Sequence, residues 1–127
     1  MVQSRSEMRR IMDKFIEYIE ESVNALEKEE KELAAGERKD EANLVKIRIN
    51  IYGIARSFYD VVKNSAAPDS IAQEFRRRIE KPAQSWRASH EKAKEHNDVE
   101  KCVIEEIKLK TLEDIIEKIN TLYPKEG

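Results

Sequence analysis

The stretch that decides the fold is DEANLVKIRINIYGIARSFYDVVKNSA, residues 40–66. Its apolar side chains recur at three- and four-residue steps, which is the spacing of one face of an α-helix. The main stripe consists of Leu44, Ile47, Ile51, Ile54, Phe58 and Val61, and it is widened by Val45, Tyr52, Ala55, Tyr59 and Val62. An apolar arc of roughly 200° is wider than one neighbouring helix can cover. The pattern therefore predicts a helix at the centre of a bundle.

Similar spacing lies on both sides of this stretch. Residues 8–33 carry apolar side chains at helical steps, and we expect Gly36 to end that helix. After a turn at Pro68, residues 71–93 repeat the pattern with Pro82 in the middle. Proline removes a backbone hydrogen bond, but the apolar phase is the same before and after it. We therefore predict one helix that is kinked at Pro82 instead of two helices.

The last segment, residues 99–123, changes its apolar face halfway along. One face is formed by Val99, Cys102, Val103 and Ile107, and the nearly opposite face by Leu109, Leu112, Ile116, Ile119 and Tyr123. The prediction that we favour is a break near Lys110, with Thr111 and Asp114 capping a short final helix. The alternative is a continuous helix that buries one face against its own bundle and the other against a second copy of the chain.

The composition is typical of a single helical domain. The chain has 127 residues, which is enough for one core, and only three Gly and three Pro interrupt it. Its 24 Lys and Arg nearly balance its 26 Asp and Glu, and 39% of its residues are hydrophobic, which excludes a disordered chain. We predict an all-α fold in which residues 1–127 form one antiparallel bundle of about four helices.

Two further features bear on the location of the protein. No apolar run approaches the roughly 20 residues that a membrane-spanning helix needs, so we expect no membrane partner. Cys102 is the only cysteine, and the residues after Met1 do not resemble a secretion signal. We therefore expect a cytoplasmic protein.

No spacing of residues predicts catalysis or a cofactor. His90 and His96 are six residues apart, which separates them by about 120° around a helix, so they cannot bind one metal ion together. Cys102 occupies a helical core position, where a thiol is usually unreactive. Glycine-rich phosphate loops and nucleophile elbows do not occur. We predict that the protein is not an enzyme and binds no metal.

Arg48 is a charged residue inside the apolar arc of residues 40–66. A buried guanidinium requires a carboxylate, an aromatic face or an anion, because an unpaired buried charge costs several kcal/mol. Arg48 could pair with Asp13 or Glu17 or extend to the surface. It could instead bind a small anionic or aromatic ligand between helices. The residues around such a ligand would be Arg48, Tyr52, Tyr59 and Trp86.

A basic segment in the third helix suggests a different class of partner. Its residues are Arg76, Arg77, Arg78, Lys81 and Arg87. Three consecutive residues spread over about 200° of a helix surface, and Glu74 and Glu80 interrupt the charge, so a salt-paired surface is the main interpretation. Binding of a nucleic acid is the alternative.

The function that we predict is that of a non-catalytic interaction or scaffold protein. Such a protein would bind a protein partner or a second copy of itself through a helix surface. Leu112, Ile116 and Tyr123 are the candidate residues for self-association, because their face is out of phase with the start of the same helix. The alternatives are a nucleic-acid-binding accessory protein that uses Arg76–Arg87 and a small-ligand sensor built around Arg48.

Overall fold

The computed structural model describes residues 5–123, with only the backbone described at Pro68. This part of the chain contains four α-helices and no strand. The helices are α1 (Arg5–Ala35), α2 (Lys39–Ser65), α3 (Ile71–Glu95) and α4 (Val99–Leu122), and a 3-10 turn at Pro68–Ser70 precedes α3. The prediction of an all-α bundle is confirmed.

Helix α2 contacts each of the other three helices. It packs along α1, and α3 packs along α4, so that helices joined by a short turn form pairs. The pairs are joined mainly by contacts of α2 with α4 and with α3. This position explains why the apolar arc of α2 is wider than one neighbour would need.

An aromatic cluster joins three helices in the core. The ring centroid of Phe15 in α1 lies 4.5 Å from that of Tyr59 in α2 and 5.8 Å from that of Phe75 in α3. All three side chains are fully buried. Ile115 and Ile119, also fully buried, bring α4 to the same core. Burying large apolar side chains is the main favourable contribution to the folding of a bundle of this size.

The turn after α1 places a glutamate where glycine is usual. The helix ends just before Gly36, as predicted, but the residue with the left-handed backbone is Glu37, at φ 62°. The amide of Arg38 then donates to the carbonyl oxygen of Leu33 over 2.9 Å, which closes the helix end in a Schellman motif. Asn97 occupies the matching position after α3, at φ 55°.

Replacing Glu37 by glycine should stabilise the protein. Glycine avoids the steric cost of a left-handed residue, roughly 1–2 kcal/mol, and loses roughly 0.5–1 kcal/mol of backbone entropy on folding. We expect Glu37→Gly to raise the free energy of unfolding in urea by about 0.5–1 kcal/mol. The control is Asn97→Gly, which should gain less because asparagine adopts this conformation more readily. A loss of stability in Glu37→Gly would contradict the assignment.

Helix α3 continues through Pro82 without interruption, so one helix is present where the sequence predicted one. The kink at Pro82 stays a prediction. The turn before α3 is closed by the amide of Ser70, which donates to the carbonyl oxygen of Ala67 over 2.8 Å.

Helix α4 is also continuous, so the predicted break near Lys110 is wrong. The Thr111 hydroxyl does not cap a new helix, because it donates to the carbonyl oxygen of Ile107 over 2.7 Å, one turn earlier. The change of apolar face is accommodated differently. In the first half of α4, polar Glu105 is buried with 4% of its surface exposed, whereas Val103 lies on the outside. The helix is continuous, as in the alternative drawn from the sequence, and burial of its second face against a second copy stays a prediction.

Candidate interaction surface

The first half of α4 presents apolar side chains to solvent. Within residues 5–123, the exposed large hydrophobic side chains are Val61 (51% exposed), Val99 (73%) and Val103 (37%). Two of these lie one turn apart on α4, and Ile107, one turn further, is half-buried. Isolated surface valines are normal in proteins, but three apolar residues at successive turns form a continuous patch.

The outward side of this half has a regular arrangement. Glu100, Val103, Ile107 and Lys110 follow one another at steps of three, four and three residues. We call these four residues the outer stripe. Such spacing places side chains along one line of a helix, as at the seam between two packed helices. Val99 flanks the outer stripe at its N-terminal end.

The two charges of the outer stripe lie at opposite ends of it. Glu100 is exposed and forms no ion pair within residues 5–123. The Lys110 side chain is 69% exposed and lies 3.3 Å from the Asp114 carboxylate, measured from Nζ to Oδ1. A hydrogen bond to Asp114 raises the pKa of Lys110, so the ammonium stays charged. The outer stripe therefore has a negative end, an apolar centre and a positive end.

In the first half of α4, the one buried residue is a charged one, Glu105. Asp98 caps the N-terminus of the helix, and its carboxylate accepts a hydrogen bond from the Lys101 amide at 3.1 Å. One turn on, Oε1 of Glu105 accepts a hydrogen bond from Lys108 at 3.1 Å, and its buried Oε2 has no hydrogen-bond partner within residues 5–123. An unsatisfied buried oxygen costs about 1–3 kcal/mol. In the same half of α4, Cys102, Ile104 and Leu109 are half-buried, and Val99 and Val103 remain exposed on the outside.

The self-association residues predicted from the sequence lie on the side of α4 that faces the bundle. Leu112 and Tyr123 are buried in the core of the same chain, and Ile116 is half-buried against it. They therefore do not form an exposed patch, and that assignment is corrected. The sequence showed that α4 has two faces, but it did not show which face the bundle covers. The signal for the outer stripe was present in the group of Val99, Val103 and Ile107.

The tyrosines that were grouped with Arg48 have partners within the fold. The hydroxyl of Tyr52 is hydrogen-bonded to that of Tyr18 at 3.2 Å, and the hydroxyl of Tyr59 to that of Tyr123 at 2.5 Å. Tyr59 is fully buried and has no surface to offer a ligand. The structure does not form the predicted ligand site from these side chains.

Arg48 itself is half-buried and has no ion pair or hydrogen bond within residues 5–123, so the predicted pairing with Asp13 or Glu17 is not made. Trp86 is half-buried and packs against the core. Two depressions on the surface do not include either residue. One is lined by Asp98, Glu100, Lys101, Ile104 and Glu105, and the other by Arg5, Ser6, Arg9, Arg10, Asp13, Lys14 and Glu17.

Most cations of the basic segment in α3 are paired within the chain. The partners are Asn120 for Arg76, Glu74 for Arg77 and Arg78, and Glu80 for Arg87. Lys81 is exposed and has no such partner among the described residues. The closest approach between Arg77 and Glu74 is 2.8 Å, and this contact lowers the pKa of Glu74. The segment therefore forms a mixed-charge surface instead of a continuous basic one, and nucleic-acid binding stays a prediction without support from the geometry.

The histidines and the cysteine take part in local contacts. Nε2 of His90 lies 3.1 Å from the Glu106 carboxylate, and Nδ1 of His96 lies 2.8 Å from the carbonyl oxygen of Lys92. Cys102 is a half-buried free thiol. In the described part of the chain, no three residues among His, Cys, Asp and Glu are grouped so that they could hold a metal ion.

Comparison with known proteins adds no relative. No protein-family model matches the chain, and no curated protein or solved structure matches it. None of the helices between residues 5 and 123 combines the length and the apolar character that crossing a bilayer requires.

Proposed function

We propose that this protein is a non-catalytic scaffold that associates with a second copy of itself through the outer stripe of α4. The observation that carries the proposal is the exposure of Val99 and Val103 beside Ile107, in the half of α4 where the one buried residue is Glu105. Fully burying an exposed valine side chain contributes about 1.5–3 kcal/mol, and covering the exposed parts of Val99 and Val103 contributes a share of it in proportion to their exposure. In a twofold dimer each such contribution occurs twice, because both copies bury the same surface.

Two further observations support this function. The formal net charge of the chain is only -2, so two copies repel each other weakly. The non-catalytic part is supported by the engagement of the candidate chemical groups in structural contacts. The histidines bind neighbouring side-chain or main-chain oxygens, and the tyrosine hydroxyls bind one another.

Replacing Val103 by asparagine should strongly weaken self-association without unfolding the chain. A loss of about 1 kcal/mol on each copy weakens a dimer by about thirtyfold. The side chain is already partly exposed, so the free energy of unfolding of the monomer should change by only about 0.5 kcal/mol. Sedimentation equilibrium over rising micromolar concentrations measures the association, and urea unfolding measures the stability.

The matched control is Val61→Asn, which changes a second exposed valine on α2, outside the outer stripe. This variant should associate as the unmodified chain does. If the unmodified chain is a monomer throughout the concentration range, the proposed function is wrong. Equal losses of association in Val61→Asn and Val103→Asn would show that the outer stripe is not the surface used.

A further inference from the structure

We infer that the second copy lies antiparallel across α4, so that Val103 contacts Ile107 of the other copy and Glu100 pairs with Lys110 of the other copy. This inference rests on the proposed self-association and specifies its partner, its orientation and its register. It follows from the order of apolar and charged residues along the outer stripe.

The spacing of the outer stripe allows a twofold axis to be placed. Steps of three, four and three residues keep the four side chains on one seam, as in the heptad pattern of paired helices. The stripe is symmetric about its midpoint, at the level of residue 105. An axis through this point brings Val103 of each copy to Ile107 of the other. The same axis brings each end of the stripe to the opposite end of the second copy.

The charges of the outer stripe select this orientation. Glu100 and Lys110 are about 15 Å apart along their own helix, so they cannot pair with each other in one chain. In an antiparallel pair each Glu100 meets a Lys110, which gives two opposite-charge contacts. In a parallel pair in register, glutamate meets glutamate and lysine meets lysine. Like charges opposed at an interface penalise that orientation, so the charge order favours the antiparallel one.

The remaining contacts agree with this register. Val99, the most exposed of the valines, lies at the flank of the stripe next to Glu100. In the antiparallel pair this flank faces Lys110 of the second copy, whose methylene groups can cover the valine while the ammonium reaches Glu100. The ion pair of Lys110 with Asp114 within one chain is exposed, so its rearrangement costs little.

Charge reversal at the two ends of the stripe tests the inference. Glu100→Lys opposes two lysines at each end of the dimer, and Lys110→Glu opposes two glutamates. We expect each variant alone to raise the dissociation constant about tenfold at low ionic strength, and salt to reduce the effect. An equimolar mixture of the two variants should form a heterodimer about as tightly as the unmodified chain. The double variant Glu100→Lys/Lys110→Glu should also recover, as a homodimer.

The outcomes separate this inference from the proposed function. If the unmodified chain does not associate, both fail. If it associates and Val103→Asn disrupts the dimer, but the single charge variants associate normally, the antiparallel register is wrong and the surface is right. Thermal unfolding of each variant provides the folding control. Recovery on mixing cannot come from repaired folding, because each chain still carries its own substitution.

Discussion

Replacing Phe15 by alanine should lower the free energy of unfolding by about 3–5 kcal/mol. Phe15 is fully buried, and its ring packs against Tyr59 and Phe75, so its removal leaves a cavity where three helices meet. Domains of this size are commonly stable by only about 5–15 kcal/mol. The variant should therefore unfold at a much lower urea concentration, with an unchanged dependence on urea if the denatured state is unaffected.

The control for this prediction is Phe58→Ala. Phe58 has the same size but is half-buried at the edge of the core. Neighbouring side chains can move into part of the space that the ring of Phe58 leaves, and water already covers part of this ring. Phe58→Ala should therefore lower the free energy of unfolding clearly less than Phe15→Ala does. Equal losses in the two variants would contradict a core centred on Phe15. A loss below about 1 kcal/mol in Phe15→Ala would do the same.

The helices could be predicted from the sequence because their evidence is repeated over many turns. Each apolar residue of α2 that recurs at the helical step supports the same assignment, so one polar exception such as Arg48 does not change it. The constant phase across Pro82 likewise predicted one helix, because tertiary packing of both halves outweighs one lost hydrogen bond. Helical spacing is local information, and the sequence contains it directly.

Which apolar face of α4 packs against the bundle could not be predicted in the same way. The sequence contains two apolar faces, and burial of either would satisfy the local pattern. Which face the bundle covers depends on the neighbours, and the second half of α4 meets the large core of Phe15, Tyr59 and Phe75. A continuous helix then leaves Val99 and Val103 exposed to solvent. It also buries the carboxylate of Glu105, and this burial is unfavourable because one carboxylate oxygen lacks a hydrogen-bond partner within residues 5–123. The break that we favoured would have avoided this cost at the expense of several helical hydrogen bonds.

The pairings of polar groups were predictable only at short range. The contact of Arg77 with Glu74 follows from a spacing of three residues on one helix, and a salt-paired surface was the main interpretation of this segment. The hydrogen bond between Tyr59 and Tyr123 joins residues 64 positions apart. No spacing rule connects them, so the sequence predicts a ligand site for Tyr59 and a self-association surface for Tyr123.

Raising the pH above about 10 should destabilise the protein steeply, because buried tyrosines resist ionisation. Burial is the largest cause that raises the pKa of Tyr59 and Tyr123 above the ordinary value, and for Tyr59 the hydrogen bond to Tyr123 adds to it. In the unfolded chain both phenols ionise near pH 10. The contribution of the neutral, buried phenols to the free energy of unfolding is therefore complete below about pH 10. It is lost as the pH rises toward the raised pKa of these tyrosines in the folded protein. Each tyrosine contributes a slope of about 1.4 kcal/mol per pH unit.

The double variant Tyr59→Phe/Tyr123→Phe isolates this effect from the titration of lysines. It removes both hydroxyls together, so neither is left without a partner, and stability at pH 7 should change by only about 1 kcal/mol. Between about pH 10 and 11.5, its free energy of unfolding should fall less steeply than that of the unmodified chain, by up to about 2.7 kcal/mol per pH unit. Urea unfolding at several pH values measures both slopes. Parallel slopes would mean that the two phenols already ionise in the folded protein, which a fully buried Tyr59 does not permit.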